Sequence, residues 1–331
     1  MSALLSVLDV APISAGSTPG DALRNSLDLV QVAESLGYTR YWVAEHHNMP
    51  GIASSSPAVL IGHLAQVSKN IRVGAGGVML PNHSSLTIAE QFGMLEAIHP
   101  GRIDLAIGRA PGTDGLTARA LRRAHVDVDE FPEQLNDLIG YFTGEFADGS
   151  PFASIAATPA RGLLPQMWLL GSSGYGAQVA GALGWPFAFA HHFSPANTLP
   201  ALELYRTHFR PSSRLSRPYA LVAVSVLAAE TDEQAAYLAG SGRLGFLRLR
   251  SGRPGPFPSP DEAAAYAFTP AEDATLRQWT GSHVIGGPDT VRAGLRDLLE
   301  RTSADELMIT SNAFDHRDRV RSYEIVADLL N

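Results

Sequence analysis

The chain contains no cysteine. That excludes disulfides, thiolate nucleophiles, cysteine–zinc sites and iron–sulfur clusters. Lysine is nearly as scarce, with Lys69 alone against 24 arginines. A Walker-type phosphate loop places Lys before Ser or Thr, and Ser68-Lys69-Asn70 does not. A Schiff-base lysine could only be Lys69, which sits in a polar turn after a helical run and reads more simply as a solvated helix end. Anions are left to arginine, backbone N–H groups and hydroxyls. No apolar run approaches the roughly 20 residues of a membrane span. The opening MSALLSVLDVAP lacks the positive region of a signal peptide. The formal net charge of −8 gives no basic footprint for nucleic acid or an anionic membrane. The expectation is a soluble cytoplasmic protein with neither kind of partner.

What remains is ordinary globular composition: 331 residues, 45% hydrophobic and 18% charged. Short apolar runs alternate with amphipathic stretches. The runs are Leu4–Val10, Tyr41–Ala44, Ile71–Gly77, Ile103–Ile107, Met167–Leu170, Trp185–Ala190, Tyr219–Leu227 and Glu306–Thr310. Thr18-Pro19-Gly20-Asp21 reads as a helix start, with Leu23, Leu27 and Val30 at helical spacing and Gly37 as the stop. Further helices are expected at Ser56–Val67, Ser85–Ile98, near Asp129–Phe142, Tyr175–Leu183 and Asn197–Phe209, from Asp232, at Pro288–Thr302 and near Arg319–Leu330.

Continuous apolar strands alternating with helices imply a parallel sheet covered by helices. Eight such units predict an α/β fold, a (β/α)8 TIM barrel with insertions, as one domain over 1–331. A doubly wound sheet is the alternative. Its dinucleotide form wants Gly-x-Gly-x-x-Gly after the first strand, where the chain reads Asp9-Val10-Ala11-Pro12-Ile13. Between the last two strands, Gly240–Gly255 is rich in Gly and Arg, and Arg253–Pro260 is a breaker cluster. This stretch is expected to be irregular, a lid or binding loop.

Barrel active sites lie at the C-terminal strand ends. Those ends carry Asp9, Glu45-His46-His47-Asn48, Gly76-Gly77-Val78, Asn82-His83, Gly108-Arg109, Gly171-Ser172-Ser173-Gly174 and His191-His192. Arg102 stands at the opposite end and reads as structural. Neighbouring strand residues face opposite ways, so His46 and His47 cannot both line the mouth. A metal would need more ligands than the pattern fixes, so none is expected. The acid–base reading is a histidine beside a glutamate that could orient it; the alternative is packed histidines with backbone partners. Ser172, Ser173, Gly174, Tyr175 and Gly176 join a strand to a helix and could form an anion site, or an ordinary capped loop. Arg109, a planar charged fork one strand away, favours the anion site. Gly74–Gly77 marks close backbone approach to a ligand or tight barrel packing.

Four segments together resemble the bacterial luciferase-like family of flavin-dependent oxidoreductases: YTRYWVAEHHN (38–48), IRVGAGGVMLPNH (71–83), HPGRIDLAIGRAPG (99–112) and Leu169–Gly184. The resemblance is nearest to its single-chain monooxygenase branch. It implies a (β/α)8 barrel that binds FMN, often as a reduced cosubstrate from a separate flavin reductase. Reduced flavin and O2 would form a C4a-hydroperoxide that oxygenates a small organic substrate. It implies a phosphate site at Arg109, Ser172, Ser173, Gly174, Tyr175 and Gly176, helped by Arg119, Arg122 or Arg123. It implies a non-proline cis peptide near Gly76, Gly77 and Val78 against the flavin ring, and His46 as the active-site histidine with Glu45 and His47 beside it. A lid at about 240–281 and a homodimer also follow. F420-dependent hydride transfer on the same fold, or flavin binding without turnover, are the alternatives.

Overall fold

The computed structural model describes residues 3–110, 112–121 and 130–330. The strands are β1 (Leu4–Asp9), β2 (Arg40–Val43), β3 (Arg72–Met79), β4 (Ile103–Gly108), β5 (Gln166–Gly171), β6 (Phe187–Ala190), β7 (Ala220–Ala228), β8 (Val284–Gly286) and β9 (Glu306–Thr310). Each pairs in parallel with its neighbours. The ring runs from β1 to β7 in chain order, and β9 joins both β7 and β1. That closes an eight-strand barrel, so the (β/α)8 expectation holds. β8 stands outside the ring beside the end of β7. Three residues are too short to register as an apolar run, and the sequence reading missed it.

Helices α1 (Pro19–Ser35), α2 (Pro57–Val67) and α3 (Ser85–Ile98) follow β1, β2 and β3. After β4 come α4 (Gly115–Ala120) and α5 (Phe131–Thr143); α6 (Gly174–Leu183) follows β5 and α7 (Thr198–His208) follows β6. The insertion before β8 carries α8 (Asp232–Arg250), α9 (Pro260–Ala265) and α10 (Pro270–Thr280). Then α11 (Pro288–Thr302) leads to β9, and α12 (His316–Leu330) ends the chain's described part. α1 starts as its sequence predicts: Thr18 caps Asp21 N–H, Asp21 caps back, and Pro19 opens the helix.

One expectation is corrected. Gly240–Arg250 is not irregular but the second half of α8. Its glycines allow the insertion to pack closely: a Cβ on Gly240 would stand 3.3 Å from Ala263 Cβ, and one on Gly245 would stand 3.5 Å from Pro258 Cδ. Each glycine costs a helix about 1 kcal/mol. The Thr231 cap, acids in the first turn and arginines in the last work against that cost. Only Ser251–Ser259 is left without helix or regular strand.

Strand residues alternate between the barrel axis and the helix layer. Trp42 joins Leu8, Ala106, Trp168, Leu221 and Met308 inside. Tyr41 and Val43 join the larger core under the helices. The N-terminal end of the barrel is plugged by charge. Arg40 donates to Glu306 at 2.8 Å and to Asp104 at 2.8 Å. Asp104 also accepts from Arg72 Nε at 2.8 Å and Trp42 Nε1 at 2.9 Å. Ser6 and Tyr219 donate to Glu306. Among the described residues no helix is long and apolar enough to cross a membrane.

Candidate active site

Above the edge-to-face pair Trp42–Trp168 the barrel is hollow. Small residues at the strand ends, among them Ala44, Gly76, Gly108, Ala188, Ala190 and Ala223, leave the space. The cavity holds about 570 Å³ and is walled largely by apolar side chains such as Leu8, Val10, Met49, Ile52 and Met308. That size suits a small-molecule site, typically about 300–1,000 Å³.

On the β4–β5 side the Arg109 guanidinium lies over the Tyr175 ring, 4.1 Å from its centre. Ser172 and Ser173 line the cavity and lead into α6. Ser173 is extended and makes no side-chain capping bond. The first N–H groups of α6 are therefore left without a capping side chain, the arrangement that can receive an anion. Tyr175 and Gly176 also line this wall. Gly174 packs away from it, since a Cβ there would stand 2.8 Å from Leu204. Arg119 is exposed beside His47 and Asn48 in a shallow surface depression outside the cavity. Arg122 and Arg123 lie outside the described residues.

On β3 the Gly76–Gly77 peptide is cis, at the place the resemblance implies. Sterics demand both glycines: a Cβ on Gly76 would stand 2.9 Å from Trp42 Cε3, and one on Gly77 would stand 2.5 Å from the Ala106 carbonyl oxygen. Gly76 forms part of the cavity wall. Gly77 is not part of that wall, and Val78 is buried in the helix-facing core.

The Glu45-His46-His47 run lies beyond the end of β2, outside strand alternation, and Glu45 and His46 both border the cavity. His46 lines the cavity and His47 does not. Glu45 does not orient His46, which corrects the simplest reading of the motif. Its carboxylate instead accepts from His83 Nε2 at 2.9 Å, His47 Nε2 at 3.0 Å, Met79 N–H at 3.0 Å and Asn82 Nδ2 at 3.1 Å. Burial alone would raise the Glu45 pKa, but the bonds from His83 and His47 and the Met79 backbone bring it below the usual value. Glu45 thus ties the end of β2 to the end of β3. Burial lowers the His46 pKa, partly opposed by the Gly112 backbone. Its Nδ1 is buried with no hydrogen-bond partner among the described residues. Gly112 adopts φ +62°, and a Cβ there would stand 2.9 Å from the Glu45 carbonyl oxygen, so glycine lets the β4 loop close on this motif.

Asp9, also at a strand end, belongs to the framework. It is fully buried and accepts from Ser26, Tyr41, Ala11 N–H and Arg319. Arg102 holds the carbonyls of Ala65, Ser68 and Ile71, the structural role its position implied.

Three cavity residues carry more weight than the sequence suggested. His192 lines the wall while its neighbour His191 turns to Thr198, at 2.8 Å. His283 comes from the insertion, just before β8, beside Trp279. Asn312 follows β9 by two residues, and the strand-end rule applied there would have found it. No signal marked His283. Among the described residues no group of three or more His, Cys, Asp or Glu could hold a metal ion.

This architecture has relatives. The family model for luciferase-like monooxygenase matches residues 4–306. A luciferase-like monooxygenase of Escherichia coli K12 is 45% identical over 98% of this chain and 96% of its own. An N-acetyl-S-alkylcysteine monooxygenase of Bacillus subtilis is 33% identical over 98% and 97%. The crystal structure of apo-MsnO8 superposes with a TM-score of 0.90 at 36% identity, covering 99% and 98%. Two more distant structures share the fold alone. The oxygenating constituent of 3,6-diketocamphane monooxygenase from Pseudomonas putida, in complex with FMN, has TM-score 0.76 and 18% identity, covering 99% and 98%. An F420-dependent secondary alcohol dehydrogenase in complex with an F420–acetone adduct has TM-score 0.69 and 12% identity, covering 100% of each chain. With a family model spanning most of its length and whole-length relatives above one-third identity, the chain belongs to the luciferase-like monooxygenase family.

Proposed function

We propose that this protein is an FMN-dependent monooxygenase that uses reduced flavin and O2 to oxygenate a small organic substrate, with a separate reductase supplying the flavin. One observation carries the reading: Arg109 and the uncapped start of α6 stand together at one edge of an apolar cavity walled by Gly76. A phosphorylated, planar cofactor fits that donor set. Its phosphate would be held by Arg109, Ser172, Ser173 and the α6 N–H groups, with Tyr175 keeping the guanidinium in place. Its ring would lie against Gly76, where any side chain would intrude.

Bound reduced flavin supplies the electrons that activate O2. The chain's own residues do the rest. His46, which lines the cavity and has a pKa lowered by burial, holds or moves a proton through its ring. Glu45 acts one step back, fixing His47, His83 and the β3 end. The apolar walls exclude water, which favours reactive chemistry over its loss to solvent. Residues 240–281 act as a lid on this one-domain barrel; Leu249 and Trp279 of that segment already reach the cavity. Val59 and Val67 on α2, with Met94 and Ile98 on α3, are exposed apolar residues on adjoining helices, which supports a homodimer packed through them.

The test is a parallel titration with FMN, anaerobically reduced FMN and F420, followed by O2. Preferential binding of reduced FMN and O2 consumption upon mixing are expected. Preference for F420 without O2 consumption would move the protein to hydride transfer. Binding of neither would sink the flavin reading.

A further inference from the structure

The cavity has a second polar pole, set by register. Ser225 on β7 pairs with Thr310 on β9. The next residue, Val226, pairs with Val284, which puts His283 at the level of Ser225 on its other flank. His192 N–H and ring Nδ1 both bond the Ala223 carbonyl of the same strand, at 3.2 and 3.0 Å. Asn312 follows two residues after Thr310. β9 lies four strands around the ring from β4, so this group faces the Arg109 side across the barrel.

Its hydrogen-bonding character can be worked out. A carbonyl only accepts, so His192 Nδ1 carries the proton and Nε2 is left as a lone pair. Burial, and then the neighbouring histidines, keep that ring neutral near pH 7 by lowering its pKa to about 4. Asn312 lines the wall with an amide whose Oδ1 has no partner among the described residues, and which offers an acceptor as well as a donor. A carboxylate here would meet the His192 lone pair and, among the described residues, find only neutral donors, the Ser225 and Thr310 hydroxyls and the Asn312 amide. Among the described residues the one arginine in the cavity wall, Arg109, is on the far side, and no lysine lines it. Among the described residues a cation would find no open carboxylate, because Glu45, the one in the wall, already has four donors. Burying either charge in apolar walls without a partner is unfavourable.

We infer that this pole, with His192 and Asn312 as specificity-determining residues, receives an uncharged hydrogen-bond donor, a hydroxyl or N–H group, carried by an otherwise apolar substrate. The inference rests on the flavin reading, which gives the Arg109 side to the cofactor.

Three probes of one shape test it: 2-naphthol, 2-methoxynaphthalene and 2-naphthoate, titrated calorimetrically into the FMN-loaded protein at neutral pH. FMN affinity is measured first and separately. 2-Naphthol should bind about threefold to tenfold tighter than the methyl ether, the span of one net hydrogen bond, and 2-naphthoate weakest. Asn312→Leu and, independently, His192→Phe should erase the naphthol preference while leaving the ether's affinity unchanged. Equal affinity for naphthol and ether, or tightest binding of naphthoate, would overturn the inference. So would variants that lower FMN affinity but keep the naphthol preference, since the pole would then belong to the flavin. If wild-type protein fails to bind FMN, the flavin reading falls. The same series without FMN then decides the pole: the naphthol preference upholds it and its absence removes it.

Discussion

The two ends of the barrel hold similar residue types and use them oppositely. At the N-terminal end Arg40, Asp104 and Glu306 are almost wholly buried, and each is bonded to at least two others. At the mouth, His46 Nδ1 and Asn312 Oδ1 are buried and open, and Ser173 leaves its helix uncapped. Buried polar groups in proteins are nearly always satisfied, so an exception calls for a reason. The closed end has spent its hydrogen bonds on itself, Trp168 Nε1 excepted, and serves stability. The open end leaves polar atoms of His46 and Asn312 without a partner among the described residues, beside an apolar cavity.

The sharpest way to break this contrast is at the closed end. Asp104→Ala leaves the Trp42 N–H without its acceptor and removes the carboxylate shared by Arg40 and Arg72, so that Arg40 keeps only Glu306. Removing one partner from a buried ionic cluster costs about 3–5 kcal/mol. Urea unfolding should show that loss, with FMN affinity unchanged in the protein that remains folded. A shift within the error of the measurement would mean the plug is not structural. At the open end the effects reverse. His46→Ala should lower turnover by about a hundredfold, the lower range for losing a positioned proton-transfer group, without loss of stability or FMN affinity. Unchanged single-turnover kinetics would remove His46 from the chemistry. Arg109→Ala should weaken FMN by about tenfold or more, through a charge-assisted contact, and leave riboflavin affinity alone. An equal loss for both ligands would end its phosphate role.

The fold was legible because its signals are local. Eight apolar runs match the eight barrel strands, and α3 and α11 have the expected bounds. The site was legible as far as strand-end position carries information: Arg109, Ser172, Ser173, His46 and Gly76 all line one cavity. What failed depended on partners remote in sequence. Nothing local tells Glu45 to choose His83 over its neighbour His46; the close approach of β3 decides that. Nothing local makes Gly240–Arg250 helical; packing on Pro258 and Ala263 does. His283 reaches the cavity only because three residues after it add to the end of β7.

The mouth and the framework should also separate along the pH axis. Burial first, and then neighbouring positive imidazoles, lower the pKa of His192 and His283 from the ordinary 6.5 to about 4. Between those values the unfolded chain binds protons that the native protein refuses, so stability falls as pH drops from about 6.5 towards 4. The framework carboxylate Asp9 behaves differently. Burial raises its pKa, but Arg319, Ser26 and Tyr41 outweigh burial and hold it below 3.8. Its contribution is intact through that whole window and is lost only on further acidification, as pH falls through its lowered native pKa. In urea midpoints measured across the window His192 and His283 should contribute part of the slope, beside His46, His191 and His99, whose pKa values burial also lowers from 6.5, and Glu45 and Glu34 towards its acid end. His192→Phe and His283→Gln should each flatten the slope, by roughly 1 kcal/mol over the window for these partly solvated rings. If the two histidine variants leave the slope as it was, those rings are not held neutral at the mouth, and the acceptor assigned to His192 goes with them.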